Sequence, residues 1–353
     1  MQTIEATTAD AVWLNAIASL KEREHLPLQD GRGGSAAELL HVGIQLHDSR
    51  QRWVVSRSPA LSVAFAIVEV IGILNGRRDS GYLNFFNPIL PRYAGKAPEY
   101  HGAYGYRLRV HSGIDQLQRA SDALISNPQS RQVVLQLWDA AEDSPSVDGQ
   151  PVAADIPCNI CSMLKVRTGQ LEWSQVMRSN DVFKGLPYNF VQFTTLQEVL
   201  AGWIGVEPGT YTHYADSLHL YETDTLAAFS SKPLPLASSD DCLALAKKDA
   251  DPIWRELNRR VDVLVSSDLS AQEYGEIARI HDAPQAFNNL ISVVAADAAR
   301  RKRCIGGVDR AISNCRSALL LQLWNRWLER QERRHLSSGL APRKRVIDLP
   351  DGE

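Results

Sequence analysis

The chain has 353 residues, 44% of them hydrophobic, and a formal net charge of -3 at pH 7. That is enough apolar material for one large domain and a smaller one, and the nearly balanced charge gives no electrostatic reason to expect nucleic acid as a partner. Five cysteines are too few for a disulfide framework in a chain of this length.

Helix-like apolar spacing over residues 12–24 and 60–75 brackets the segment "LQDGRGGSAAELLHVGIQLHD", a glycine-rich turn leading into a strand-like run. Arg32 falls in that turn, so it is expected in a mobile loop. The apolar run from Ala60 to Leu74 is broken by Glu69 and is shorter than the roughly 20 residues that span a bilayer. It reads as a buried helix, and no membrane partner is expected. The N-terminal "MQTIEATTADAVWLNAI" lacks the basic and apolar regions of an export signal, which makes the cytoplasm the expected compartment.

Residues 79–105 are rich in Gly, Pro, Asn and aromatics, a composition suited to irregular structure over a pocket. "IDQLQRASDALISNPQS" is a helix stopped by Asn-Pro. "RQVVLQLWD" reads as a strand, and "NICSMLKVRTGQLEWSQVMRS" as two strands joined at "RTGQ". "NFVQFTTLQEVLAGWIG" has helical apolar spacing and ends at glycine, and "GTYTHYADSLHLYE" is again a strand. Strands and helices mix without a regular alternation, so an α+β fold with a mixed sheet is expected. Past "SKPLPLASSDD" the chain reads as helical. The expected organisation is a catalytic domain over 1–240, a helical extension over 241–336, and a polar flexible tail over 337–353. The amphipathic helices of the extension suit packing within the chain better than binding another protein.

The stretch "DIPCNICSML" holds Cys158 and Cys161 three positions apart. A structural zinc site needs two further ligands at suitable spacing, and Cys242, Cys304 and Cys315 supply no second Cys-x-x-Cys; no metal is expected. On a regular strand, residues i and i+3 face opposite sides, so a redox pair is disfavoured. Two small packing thiols, or one nucleophile beside one packing thiol, remain open.

The neighbourhood chooses between them. A Pro-Cys at 157–158, the block "RSNDVFKGLPYN" from Arg178 to Asn189, and His219-x-Tyr221 after one long helix together resemble the thymidylate synthase and deoxycytidylate hydroxymethylase family. The resemblance is dense over about 127–235, thinner over 12–126, and absent after 240. It implies an enzyme that transfers a one-carbon unit from 5,10-methylenetetrahydrofolate to C5 of a uracil nucleotide, dUMP being the expected substrate, and a homodimer. A second reading keeps the fold as a nucleotide-binding sensor or assembly module, but binding alone needs no thiolate.

By resemblance Cys158 is the thiolate that adds to C6 of the base, and a neighbouring guanidinium such as Arg178 favours its ionised form. Arg178 and Ser179 match the phosphate ligands, the guanidinium fork being suited to phosphate oxygens. Asn189 matches the residue that reads the base, since an amide both donates and accepts and so fits uracil, where aspartate fits cytosine. His219 and Tyr221 match the pair that holds the sugar hydroxyl. Glu69 matches a carboxyl that organises proton transfer, Tyr104 a tyrosine used in removing the C5 proton, and Asp181 the contact to the folate pterin. Arg131 matches an arginine donated across the dimer interface to the partner's phosphate, with Gln132 in place of a second one, and Arg32 matches a mobile phosphate clamp. Cys158, Arg178, Asn189, His219, Tyr221 and Glu69 also have plain structural alternatives, as core, capping or surface residues.

Four departures bear on the chemistry. Asn159 stands where the family has His, and Ser217 stands where it has Asp, with Asp216 one residue earlier. Phe85, Phe86 and Asn87 occupy the region of the tryptophans that cover the transferred methylene. The short apolar C-terminus that seals the synthases is replaced by the helical extension. Hydride transfer to form a methyl group requires water to be excluded, so the last two of these losses favour water capture and a 5-hydroxymethyl product, with the 5-methyl product still open.

Overall fold

A computed structural model describes residues 2–22, 28–31, 33–238 and 240–337 of the chain. Strand β1 (Gln2–Ala6) leads to helix α1 (Ala9–Lys21), which Thr8 begins by accepting a hydrogen bond from the Ala11 amide, the usual work of an N-cap. The short β2 (Gln29–Gly31) turns into the long β3 (Gly34–Leu46). Helix α2 (Val63–Leu74) follows, capped by Ser62. It is apolar almost all round, so it is buried on nearly every side.

Short helical turns α3 (Gly81–Phe86), α4 (Pro91–Ala94) and α5 (Tyr104–Tyr106) punctuate the stretch expected to be irregular. Helix α6 (Gln116–Ser126) stops at Asn127, before Pro128. Strand β4 (Val134–Gln136) is shorter than "RQVVLQLWD" suggests, because the Leu137 and Trp138 amides both turn to one acceptor, the Ile160 carbonyl, and the ladder ends there. After the turn α7 (Ala140–Asp143), strands β5 (Asn159–Arg167) and β6 (Gln170–Met177) form a hairpin. Its two turn residues, Thr168 and Gly169, have φ of 48° and 78°, the paired positive values of a type I′ turn.

The two-residue β7 (Asn180–Asp181) precedes α8 (Leu186–Ile204), which ends at Gly205 with φ 83°, a left-handed position that glycine takes without steric cost. Strand β8 (Glu207–Tyr221) and α9 (Glu222–Phe229) follow. Past residue 240 the described chain is helical: α10 (Lys247–Ser266), α11 (Ala271–Ile277), α12 (Gln285–Arg301), α13 (Ile305–Ile312) and α14 (Ala318–Ser337). Helices α10, α12 and α14 pack on α2, and their apolar faces join one hydrophobic core with the sheet-bearing part of the chain. From residue 338, the tail expected over 337–353 lies outside the described residues. No helix among the described residues is long and apolar enough to cross a membrane.

The strands form one sheet in the order β1-β3-β8-β6-β5-β4, with β2 on β3 and β7 on β8. Strand β8 is antiparallel to β3 and parallel to β6 and β7, so the sheet is mixed and the fold is α+β. Register decides what meets what. Leu39 lies opposite Leu218 in the core, while Glu38 lies opposite His219 and Ala36 opposite Tyr221. The ladder breaks at His41, whose φ is 57°.

Candidate active site

A cavity of about 2210 Å³ opens between α2, the irregular stretch, the segment leading into β5, the end of β8 and helix α14. A pocket for one small molecule holds roughly 300–1,000 Å³, so this one has room for two ligands side by side. Nine of the residues singled out from sequence line it: Cys158, Glu69, Tyr104, Arg178, Ser179, Asp181, Asn189, His219 and Tyr221. Arg131 does not; it is exposed on the surface outside the lining. Arg32 lies outside the described residues.

Cys158 sits immediately ahead of β5, on a segment held in place by its neighbour in the sheet. The Arg178 amide donates to the Cys158 carbonyl at 2.9 Å, and the Arg178 guanidinium donates through Nε to the Pro157 carbonyl at 2.9 Å and through Nη2 to the Ile156 carbonyl at 3.2 Å. The same guanidinium lies 5.5 Å from the Trp138 ring centre. One arginine thus fixes the backbone on which the thiol rides. Cys161 is on the ladder beyond a bulge and is absent from the cavity lining. Burial pushes its thiol up from the ordinary value, which suits a packing residue. Asn159 is fully buried and accepts from the Gln175 amide, whose own oxygen accepts from Ser162 Oγ at 2.7 Å and Trp173 Nε1 at 3.1 Å. The residue in the family's histidine position therefore serves a buried polar network behind the thiol.

Asn189 enters the cavity from the first turn of α8. Its Oδ1 accepts from Asn180 Nδ2 at 2.7 Å, and its Nδ2 donates to Gln192 Oε1 at 3.1 Å. Gln192 in turn hydrogen-bonds the Glu69 carboxyl from across the helix pair. Glu69 is the polar interruption of α2, and desolvation raises its carboxyl to about 8, against the opposing effect of that hydrogen bond. Tyr104 lies among these groups. Burial first, then the negative charges of Cys158, Asp155 and Glu69, hold its phenol in the neutral form well above the ordinary value.

Strand β8 carries the pair expected at the sugar, with Ser217, His219 and Tyr221 alternating into the cavity while Leu218 and Leu220 enter the core. His219 is flanked in register by two carboxylates, Glu38 on β3 and Asp181 on β7. Desolvation lowers its pKa, and those two carboxylates act the other way. Its Nδ1 is 3.5 Å from Ser179 Oγ. Asp181 spends Oδ1 on the amides of Phe183 at 2.8 Å and Lys184 at 2.7 Å, and burial raises its pKa.

Sequence reasoning missed Glu38 and Gln192. Glu38 alternates with Gly34 and Ala36 on β3, and all three line the cavity, but only the pairing of β3 with β8 shows what they face. Asp216 is not in the lining; it forms an exposed ion pair with His41 at 2.9 Å. Of the two phenylalanines expected over the methylene, Phe86 lines the cavity and Phe85 does not. Arg301 of the extension packs on both rings and donates to the Phe86 carbonyl at 2.5 Å. The extension also supplies Arg300, Trp327, Leu328 and Arg330 to the cavity wall.

Residues 43–273 match the family model for thymidylate synthase. The chain belongs to the thymidylate synthase family. The match runs past residue 240, where the sequence resemblance was expected to stop, and takes in α10. Among relatives, the deoxyuridylate hydroxymethyltransferase of Bacillus phage SP01 is 30% identical over 204 residues, covering 55% of this chain and 52% of that protein. The deoxyuridylate hydroxymethyltransferase of Pseudomonas phage M6 is 32% identical over 228 residues, covering 55% of this chain and 64% of that protein. The chain thus spans about half to just under two thirds of the length of these curated relatives. The crystal structure of thymidylate synthase from T4 phage superposes with a TM-score of 0.52 at 22% identity, over 63% of this chain and 81% of that one, which establishes the shared fold.

Proposed function

We propose that this thymidylate synthase family member hydroxymethylates a uracil nucleotide at C5, with 5,10-methylenetetrahydrofolate as the one-carbon donor. The observation that carries the reading is the convergence of Cys158, Arg178, Ser179, Asn189, Glu69, His219 and Tyr221 on one cavity large enough for both substrates. C5 of uracil is a weak nucleophile, and thiolate addition at C6 converts the ring to an enolate. In this reading Cys158 adds at C6, C5 takes the methylene unit, and tetrahydrofolate departs. Water adds to the exocyclic methylene, the C5 proton having been lost, and the Cys158 thiolate leaves again. No electron is transferred in that sequence, so no dihydrofolate forms.

The assigned side chains have separate tasks. Arg178 and Ser179 hold the phosphate, and because Arg178 also fixes the Pro157–Cys158 backbone, phosphate binding and thiol placement share one residue. Asn189 reads O4 and N3 of the base. Glu69, protonated over much of the neutral range, moves protons near O4 and the departing folate nitrogen, and Tyr104 serves the C5 proton. Asp181 faces the pterin. Tyr82, Phe86 and Trp327 give the apolar walls that a fused heterocycle and its benzoyl group need.

The product assignment rests on the wall. Where water exclusion is needed for hydride transfer, this cavity is lined by Arg300, Arg301 and Arg330 as well as Phe86, a more polar wall than an apolar seal. The names of the phage relatives agree with this reading. We place the working form as a homodimer formed through the half-buried sheet face of Met163, Val176 and Tyr214, with exposed Arg131 reaching the partner's phosphate, in the cytoplasm. The test of the chemistry is release of tritium from C5-labelled uracil nucleotides in the presence of methylenetetrahydrofolate. Release is expected from the wild type, and Cys158→Ser is expected to lower it by on the order of 10⁴ or more while nucleotide binding persists. Undiminished release by that variant removes the nucleophile assignment, and no release by the wild type removes the reaction.

A further inference from the structure

The carboxylate that the family pattern places two residues before the sugar-binding histidine is missing from β8, where Ser217 takes its position and Asp216 points to an exposed pair with His41. The fold supplies another from the neighbouring strand. Glu38 lies directly opposite His219 in the β3–β8 ladder, and Ser217 Oγ donates to Glu38 Oε1. The serine therefore orients the carboxylate that replaces the one it displaced. Around it the cavity floor is bare: Gly34 and Ala36 are the preceding cavity-facing positions of β3, and Ala36 is the residue opposite Tyr221. The hairpin backbone also presses on that tyrosine, since a Cβ at Gly33 would fall 2.5 Å from the Tyr221 ring and hydroxyl.

His219 and Tyr221 together can hold one sugar hydroxyl. A 2′-deoxynucleoside monophosphate has only one free hydroxyl, because its 5′ oxygen carries the phosphate. A carboxylate one strand away is a second acceptor, and a half-buried carboxylate oxygen facing a ligand with no donor to offer is unfavourable. Carboxylates answer the hydroxyl donors of a ribose in other nucleotide sites for the same reason. We infer that Glu38 reads the sugar: its carboxylate accepts the 2′-hydroxyl of a ribonucleotide, so the site takes UMP at least as well as dUMP. This rests on the reading of the cavity as a uracil nucleotide site.

The experiment is calorimetric titration of the full chain with UMP and with dUMP, for the wild type, Glu38→Gln and Glu38→Ala. The wild type is expected to bind UMP as tightly as dUMP or more tightly. Both variants are expected to shift the ratio of the two dissociation constants toward dUMP, by about tenfold or more for the alanine, as loss of a hydrogen bond to a charged group implies. A ratio measured on one preparation is insensitive to the fraction folded, so a partly unstable variant still reports. Tighter binding of dUMP by the wild type, or variants that leave the ratio in place, overturn the role of Glu38 while nucleotide binding stands. Binding of neither nucleotide overturns the nucleotide reading itself and this inference with it.

Discussion

Asn189 holds its carboxamide between Asn180, which donates to its oxygen, and Gln192, which accepts from its nitrogen. Its orientation in the cavity is thereby set by its neighbours. Asn189→Asp keeps the contact from Asn180 and can accept from the Gln192 amide after that amide turns over, but it no longer offers a donor to O4. The variant is expected to shift the kcat/KM ratio from uracil toward cytosine nucleotides by about a hundredfold or more, the scale on which a site rejects a ligand with mismatched hydrogen bonds; unchanged selectivity would assign base reading elsewhere. Glu69 gives a pH prediction. With its carboxyl raised to about 8 from 4.5, the acid form predominates below about pH 8, and kcat/KM is expected to fall as pH rises through that value. The same shift links to stability: between 4.5 and 8 the folded protein holds a proton that the unfolded chain has lost, so stability declines as pH rises through this window. Glu69→Gln is expected to flatten both curves and lower kcat, as pH–rate and pH–denaturation profiles would show. The contiguous Arg178–Asn189 block made Arg178, Ser179, Asp181 and Asn189 legible from sequence through its family resemblance, and all four line the cavity. Glu38 was not legible, because its partner His219 is far along the chain and only strand register joins them.

Helices show the same division. The α2 and α8 segments were readable because apolar periodicity and a terminal glycine are local signals, and the Thr168–Gly169 turn was readable from two residues. The reach of the extension was not, for it depends on contacts between distant elements. Its anchor is Asp297 on α12, fully buried, which accepts from Arg300 at 2.8 Å, Arg301 at 2.6 Å and Trp327 Nε1 of α14 at 3.2 Å. The two guanidinium groups hold its carboxyl below the ordinary value in spite of burial. Removing that charge leaves two arginines facing each other without their counter-ion, so Asp297→Asn is expected to cost about 3 kcal/mol of stability, measured by urea denaturation. Because Arg301 also carries Phe86, the same variant is expected to raise KM for the folate. Unchanged denaturation midpoint and KM would show that the α12–α14 contact does not shape the wall.

At the scale of the whole molecule, the proposed reaction and its proposed product depend on different parts of the chain. The residues assigned to the thiol, phosphate, base and sugar roles come from the sheet, the segments flanking its strands and α8, whereas α12 and α14 add Arg300, Arg301, Trp327, Leu328 and Arg330 to the wall. On the proposed reading, the arginine-bearing helical wall leaves the carbon transfer in place and changes the fate of the exocyclic methylene. The most direct measurement is mass spectrometry of the nucleotide formed from a uracil nucleotide and methylenetetrahydrofolate, with absorbance at the same time tracking dihydrofolate. The account predicts a 5-hydroxymethyl nucleotide and no dihydrofolate. A 5-methyl nucleotide with an equal amount of dihydrofolate would contradict it, and would mean that the helical wall excludes water as well as the seal it replaced.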